Sequence, residues 1–247
     1  MKALILAAGR GTRLGALTAN QPKPMIPIAG IPMVERIMTM LDREGGIREF
    51  VLVTGYLAQV IQNYFGDGAK WGWTVQYAHQ AEQKGVAHAV NCAQALLSDS
   101  DFFMTYGDIM LDPANYQRGV AEFNAAKSGG QSGKTLVGLN WVDDPYRGSA
   151  VYVDDDFKIV HIDEKPAQGT ATTHWNSAGL FVFDPLIFKY TGSIKPSARG
   201  EYEMPDAITA MIDDGYYVKG LPLTGTWRDV GTPEDYAAIN AELGAIV

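Results

Sequence analysis

The stretch Leu4–Gly15, LILAAGRGTRLG, runs an apolar strand straight into three glycines and two arginines, and ALTANQPKPMIPIAG then carries the chain to Gly30. A short apolar run that ends in glycine reads as a buried strand followed by a tight turn. Downstream, strand-like runs alternate with helical patterns: PMVERIMTMLDREG, REFVLVTG, LAQVIQNYFGDG, TVQYAHQ, VAHAVNCAQALL and DFFMTYGDI. Strands alternating with helices of about a dozen residues predict right-handed βαβ units, hence an α/β fold with a Rossmann-like, doubly wound, mainly parallel sheet. After Ser128–Lys134, a glycine- and serine-rich loop, TLVGLNWV, SAVYVDD, KIVHIDEKP and SAGLFVFDP read as strands joined by short turns. A last helix begins near Pro233.

Composition narrows the function. The 247 residues are 47% hydrophobic and 19% charged, enough to bury a full core as one large domain or as one domain with an appended subdomain. The net charge of −8 and the 20 scattered basic residues disfavour nucleic acid, whose binding requires clustered Lys and Arg against phosphates. Cys92 is the single cysteine, so no disulfide framework and no cysteine zinc site forms within one chain, which fits a reducing cytoplasm. The apolar run before Gly9 is too short for a signal-peptide core or a membrane span.

In a doubly wound sheet ligands bind beyond the carboxyl ends of the strands, where Gly9–Gly15 should lie. Gly9, Gly11 and Gly15 let backbone N–H groups approach a ligand, and Arg10 and Arg13 supply positive charge, a combination suited to a phosphate chain. Glycines alone are equally those of a simple turn. Leu14 stands where G-x-G-x-x-G needs its third glycine, which disfavours a dinucleotide cofactor. SGGQSGKT, Ser128–Thr135, nearly spells a P-loop, but Ser128 replaces the first glycine and a strand follows where a helix is needed. Pro22 and Pro24 flank Lys23, so an extended, rigid segment should present its ammonium beside the glycine loop. Phosphoryl chemistry uses such a fixed cation.

GRGTRLGALTANQPKPMIPIAGIPM resembles the signature of sugar-1-phosphate nucleotidylyltransferases, the family of glucose-1-phosphate thymidylyl- and uridylyltransferases. QAEQKGVAHAV, YGD, DEKP, NSAGLFVFDP and GTWRDVGTPEDY resemble further motifs of that family in the same order. The chain departs from the family with GALT in place of a proline-containing turn and with Ile109 after Asp108.

The resemblance implies the nucleotide-diphospho-sugar transferase type of fold over residues 1–247. Its nucleotide-binding part lies at about 1–112, and its small sugar-binding β region is inserted at about 135–232. It implies Arg13 and Lys23 as catalytic cations, and Leu6, Ala8, Gly9, Gly11, Thr12, Gln80 and Gly85 as the nucleotide site. Gly148, Glu164, Lys165, Asn176, Gly179 and Trp227 would bind the sugar phosphate, and Asp108 and Asp229 would hold Mg2+. An NTP, UTP or dTTP first, and a sugar-1-phosphate, glucose-1-phosphate by default, are the implied partners, with no nucleic acid or membrane partner and homo-oligomerisation left open. Transfer to phosphocholine and a non-catalytic sugar-nucleotide sensor are the alternatives. His88, His161 and His174 lack metal-ligand spacing and read as structural.

Overall fold

The computed structural model describes residues 1–128 and 134–244, so the glycine-rich loop and its near P-loop fall mostly outside the described residues. The first half contains β1 (Lys2–Ala7), the short pair β2 (Pro27–Ile28) and β3 (Ile31–Pro32), α1 (Met33–Arg43), β4 (Glu49–Thr54) and α2 (Ala58–Phe65). It continues with β5 (Thr74–His79), α3 (Val86–Cys92), α4 (Gln94–Leu97), β6 (Phe102–Tyr106) and β7 (Ile109–Leu111). The second half adds α5 (Ala114–Ser128), β8 (Thr135–Trp141), β9 (Ser149–Val153), β10 (Ile159–Glu164) and β11 (Trp175–Phe183). After these come α6 (Ile187–Thr191), α7 (Met204–Asp213), β12 (Val218–Pro222), β13 (Trp227–Asp229) and α8 (Pro233–Gly244).

Among the described residues, nine strands form one sheet. Strands β6, β1, β4 and β5 lie side by side and parallel. Alternate residues of this block feed opposite cores: Leu4, Val51, Val53 and Met104 on one face, Ile5, Phe50, Leu52 and Phe103 on the other. Burial on both faces explains why these strands read as continuous apolar runs. On α1, Val34, Ile37, Met38 and Leu41 are buried, a spacing that places them on one helical face.

The chain leaves β1 toward β4 and β5 on one side and returns on the other with β6. The order therefore reverses beside β1, and a crevice opens at the carboxyl ends of β1 and β6. The second-half strands continue the same sheet, with β11 antiparallel to β6 and β8 and β9 pairing with β11. A separate two-stranded ribbon joins β7 to β13 across the mouth of the crevice. No helix among the described residues is long and apolar enough to cross a membrane.

Two local readings differ from the sequence expectation. VAHAVNCAQALL breaks at Ala93 into α3 and α4. Lys23 opens a three-residue 3-10 turn, Lys23–Met25, and is not extended. Bonds from Met25 N–H to Pro22 O (2.9 Å) and from Ile26 N–H to Lys23 O (3.1 Å) offset the pre-proline preference. Pro24 fits because its missing N–H is not needed early in a turn.

Candidate active site

The glycine loop after β1 borders a hollow of about 250 Å³ lined by Leu6, Ala8, Gly9, Lys23, Gln80 and Gly85. Val86 and Ala89 close it from α3. Gly11 has φ +63, and a Cβ there would stand 2.7 Å from Lys23 Cβ. Glycine at this position thus lets the loop lie directly on the lysine stem. Gln83 Nε2 donates to Ala8 O at 2.7 Å and straps the segment before α3 to the glycine loop. On its other side that segment is held by Tyr202, whose N–H donates to Lys84 O (2.8 Å) and whose carbonyl accepts from Ala87 N–H (3.0 Å).

Lys23 is 7% exposed, and its Nζ lies 2.5 Å from Asp108 Oδ2 and 3.4 Å from Asp229 Oδ1. Asp108 sits in the turn between β6 and β7, and Asp229 ends β13 opposite Ile109. The ribbon, sealed by Val230 N–H donating to Asp108 O (3.1 Å), therefore brings the two carboxylates to one cation. Burial, and then the charge of Asp108, push the Asp229 carboxyl above its ordinary value, with Lys23 and Arg13 opposing. Lys23 is the cation the two carboxylates share, and a carboxylate pair of this kind is the donor set Mg2+ takes when phosphate oxygens and water complete it.

Beyond Asp229 a second hollow of about 490 Å³ is lined by Arg13, Gly148, Glu164, Asn176 and Trp227. Its polar wall is cross-linked. Asn176 Oδ1 accepts from Ser149 N–H (3.1 Å), and its Nδ2 donates to Asn140 Oδ1 (2.9 Å). A Cβ at Gly148 would run into that same Asn176 oxygen. Ser149 Oγ donates to Glu164 Oε2 (2.5 Å), and Trp227 Nε1 donates to Ala178 O (2.9 Å). Burial pushes the Glu164 carboxyl up, while the Ser149 hydrogen bond pulls it down. Val86 and Tyr106 line both hollows, so the two meet beside the Asp108–Lys23–Asp229 cluster.

The topology thus gathers most of the expected residues, but not all. Thr12 opens a 3-10 helix and, like Gly11, lines neither hollow. Lys165, with φ +49, turns to an outer hollow of about 550 Å³ that shares only Glu164 and Glu203 with the inner one. Gly179 has φ +76 and packs behind the site, where a Cβ would strike Ile109 and the Tyr106 ring. Sequence reasoning missed Arg199 and Glu203. Arg199 Nη2 reaches Glu203 Oε1 (2.7 Å) and Glu164 Oε1 (3.3 Å), and Ser197 Oγ donates to Glu203 Oε1 (3.0 Å). The available signal is ARGEYE, a charged segment with glycine and no periodicity.

Residues 2–245 match the family model described as nucleotidyl transferase. The chain is 34% identical over 241 residues to the low-salt glycan biosynthesis nucleotidyltransferase Agl11 of Haloferax volcanii, and 32% identical over 240 residues to a glucose-1-phosphate thymidylyltransferase of Streptomyces antibioticus. Each alignment covers 97% of this chain and 65% of the relative, so the chain spans just under two thirds of their length. A crystal structure of UDP-glucose pyrophosphorylase complexed with UDP-glucose superposes with a TM-score of 0.88 over 100% of this chain and 99% of that one; at 21% identity it speaks to the fold. A family match over nearly the whole chain, on a fold that brings the motifs around one crevice, shows that the chain belongs to the nucleotidyl transferase family.

Proposed function

We propose that this chain transfers a nucleotidyl group from an NTP, UTP or dTTP first, to a sugar-1-phosphate, glucose-1-phosphate by default, releasing pyrophosphate and an NDP-sugar. The observation that carries the reading is the junction of the two hollows at a buried lysine contacted by two carboxylates. A nucleotide in the first hollow and a sugar phosphate in the second would meet there. The attacking sugar-phosphate oxygen is anionic at neutral pH, so no general base is needed, and attack at the α-phosphorus expels pyrophosphate in one step. Lys23 offsets negative charge gathering at the reacting phosphates, and Arg13, from the rim facing Asp229, adds a second cation. Gln80 and the Gly85 backbone meet the base, while Glu164, Asn176 and Gly148 orient the sugar. Asp108 and Asp229 would hold Mg2+, which supplies Lewis-acid charge when bound.

Pyrophosphate release from UTP, dTTP, CTP, GTP and ATP against a panel of sugar-1-phosphates tests the reading. Turnover that is lost in Asp108→Asn and on metal chelation supports it. Nucleotide binding without turnover on any sugar overturns it in favour of a sensor or a different acceptor.

A further inference from the structure

A side-chain amide presents an acceptor at one end and donors at the other, so the orientation of Gln80 decides what base it recognises. Gln80 is 5% exposed, and its Nε2 lies 3.2 Å from the Gly85 carbonyl oxygen and 3.1 Å from His88 Nδ1. A carbonyl can only accept, so the end facing Gly85 is the NH2 group. Its second proton points to His88 Nδ1, which accepts when the neutral ring carries its proton on Nε2. Both donors of Gln80 are then used inside the protein. Among the described residues its Oε1 has no donor, and it is not enclosed either, because the buried side-chain atoms lacking partners there are Asp101 Oδ1 and Thr105 Oγ1. Oε1 is the amide atom left for a ligand.

His88 is well placed for this role. It lies in the first turn of α3, just beyond Gly85 and Val86, and packs near the Tyr202 ring at 6.3 Å. It also borders a hollow of about 360 Å³ with Lys84, Asn91 and Tyr202, where water can serve the Nε2–H.

We propose that His88 is a positioning residue for base selection: it fixes the Gln80 amide with Oε1 as the free acceptor, so that the site favours a base with a ring N–H between two carbonyls. Uracil and thymine offer that pattern. Cytosine instead presents a ring-nitrogen lone pair to Oε1, and the amide escapes this clash only by flipping, which breaks its bonds to both Gly85 and His88. Without His88 the flip breaks one bond, and a hydrogen bond of this kind is worth about ten-fold in affinity. This proposal rests on the nucleotide hollow of the proposed function but not on its acceptor.

The test is calorimetric binding of UTP and CTP to the full chain without any sugar phosphate, followed by KM and kcat for UTP, in wild type, His88→Leu and His88→Asn. Asn places its Oδ1 near the position of Nδ1 and can still accept. The expected result is a wild-type preference for UTP over CTP that shrinks about ten-fold in His88→Leu and returns in His88→Asn, with UTP KM rising and kcat within about two-fold. His88→Ala replaces the Leu variant if the latter does not fold. An unchanged UTP to CTP ratio, equal losses in the Leu and Asn variants, or a wild type that binds CTP as tightly as UTP would each overturn the proposal. Selective binding that shifts as expected without turnover leaves it standing while the transferase reading fails.

Discussion

Gly179→Ala is a perturbation whose size the structure permits working out. Gly179 adopts φ +76, where an L-residue costs about 1–2 kcal/mol. Its added Cβ would also strike Ile109 Cδ1 and approach Tyr106 Cδ2 to 2.6 Å, and overpacking of this kind costs about 1–3 kcal/mol. Together the loss is about 2–5 kcal/mol, a fall in Tm of about 4–20 °C at the usual 2–4 °C per kcal/mol for a chain of this size. Ile109 and Tyr106 flank Asp108, and Ile109 pairs with Asp229, so a shift of either side chain moves the carboxylates. Displacements on the order of 1 Å at a reacting centre cost about 100-fold in rate. Gly169→Ala is the internal control, since Gly169 has φ +75 and an added Cβ there would meet nothing within 4 Å. It should lose only the backbone part, about 1–2 kcal/mol, and retain full turnover. Thermal unfolding with parallel turnover measurements reads both variants. Equal Tm losses in the two, or a Gly179→Ala enzyme with wild-type rate, would refute the packing argument.

Glu164 makes a prediction about pH. Its folded carboxyl sits above the ordinary value of 4.5, chiefly through burial. The folded chain therefore holds this proton more tightly than the unfolded chain, so its contribution to stability is present below the unfolded value and lost as pH rises through the folded one. KM for the sugar-1-phosphate should rise as pH falls through the same window, while wild type gains stability relative to Glu164→Gln; an identical KM rise in that variant would count against the assignment. Arg199→Ala leaves Glu203, 4% exposed, without its cation, and should cost toward the low end of about 3–5 kcal/mol because Arg199 is itself partly in solvent. Denaturant unfolding checks this, and a loss of less than about 0.5 kcal/mol, the size of an ordinary surface change, would contradict it. Lys23→Met removes the ammonium from between Asp108 and Asp229, so transfer should fall by about 100-fold or more while Mg2+ raises Tm further than in wild type. Equal Mg2+ shifts in the two proteins would show that the lysine and the metal do not compete.

The parallel half of the sheet is legible in the sequence because its strands are buried on both faces and read as unbroken apolar runs: KALILAA, REFVLVTG and DFFMTYGDI all lie at or around observed strands. Asp108 can be placed just past a strand end for the same reason, whereas Asp229 is placed by the family motif GTWRDVGTPEDY, since β13 lies outside the main sheet and none of its residues is buried. What local pattern does not reveal is the pairing of β7 with β13, each only three residues long and too short to show a period. The helices α5 and α7 also escape notice, and with α7 the Arg199–Glu203 pair at its start. Lys23 does lie beside the glycine loop, but in a different backbone state from the expected one, because two turn hydrogen bonds outweigh the bias of a neighbouring proline. His88 reads as structural because spacing rules search for metal ligands, whereas its contact is to an amide eight residues earlier, on the far side of a turn.

The ribbon of β7 and β13 has a consequence for how the chain is made. The two carboxylates it joins are separated by roughly 120 residues, about 6–24 s of synthesis at about 5–20 residues per second. During that interval β1, β4, β5 and β6 are already translated, whereas Glu201, which lines the first hollow, Tyr202, which holds the segment before α3, and finally Asp229 are still to come. A chain that ends before Trp227 would lack β13, and with it the partner of β7 and the second carboxylate at Lys23. On the proposed function, transfer therefore waits on the last of the three charged groups to be made, Asp229.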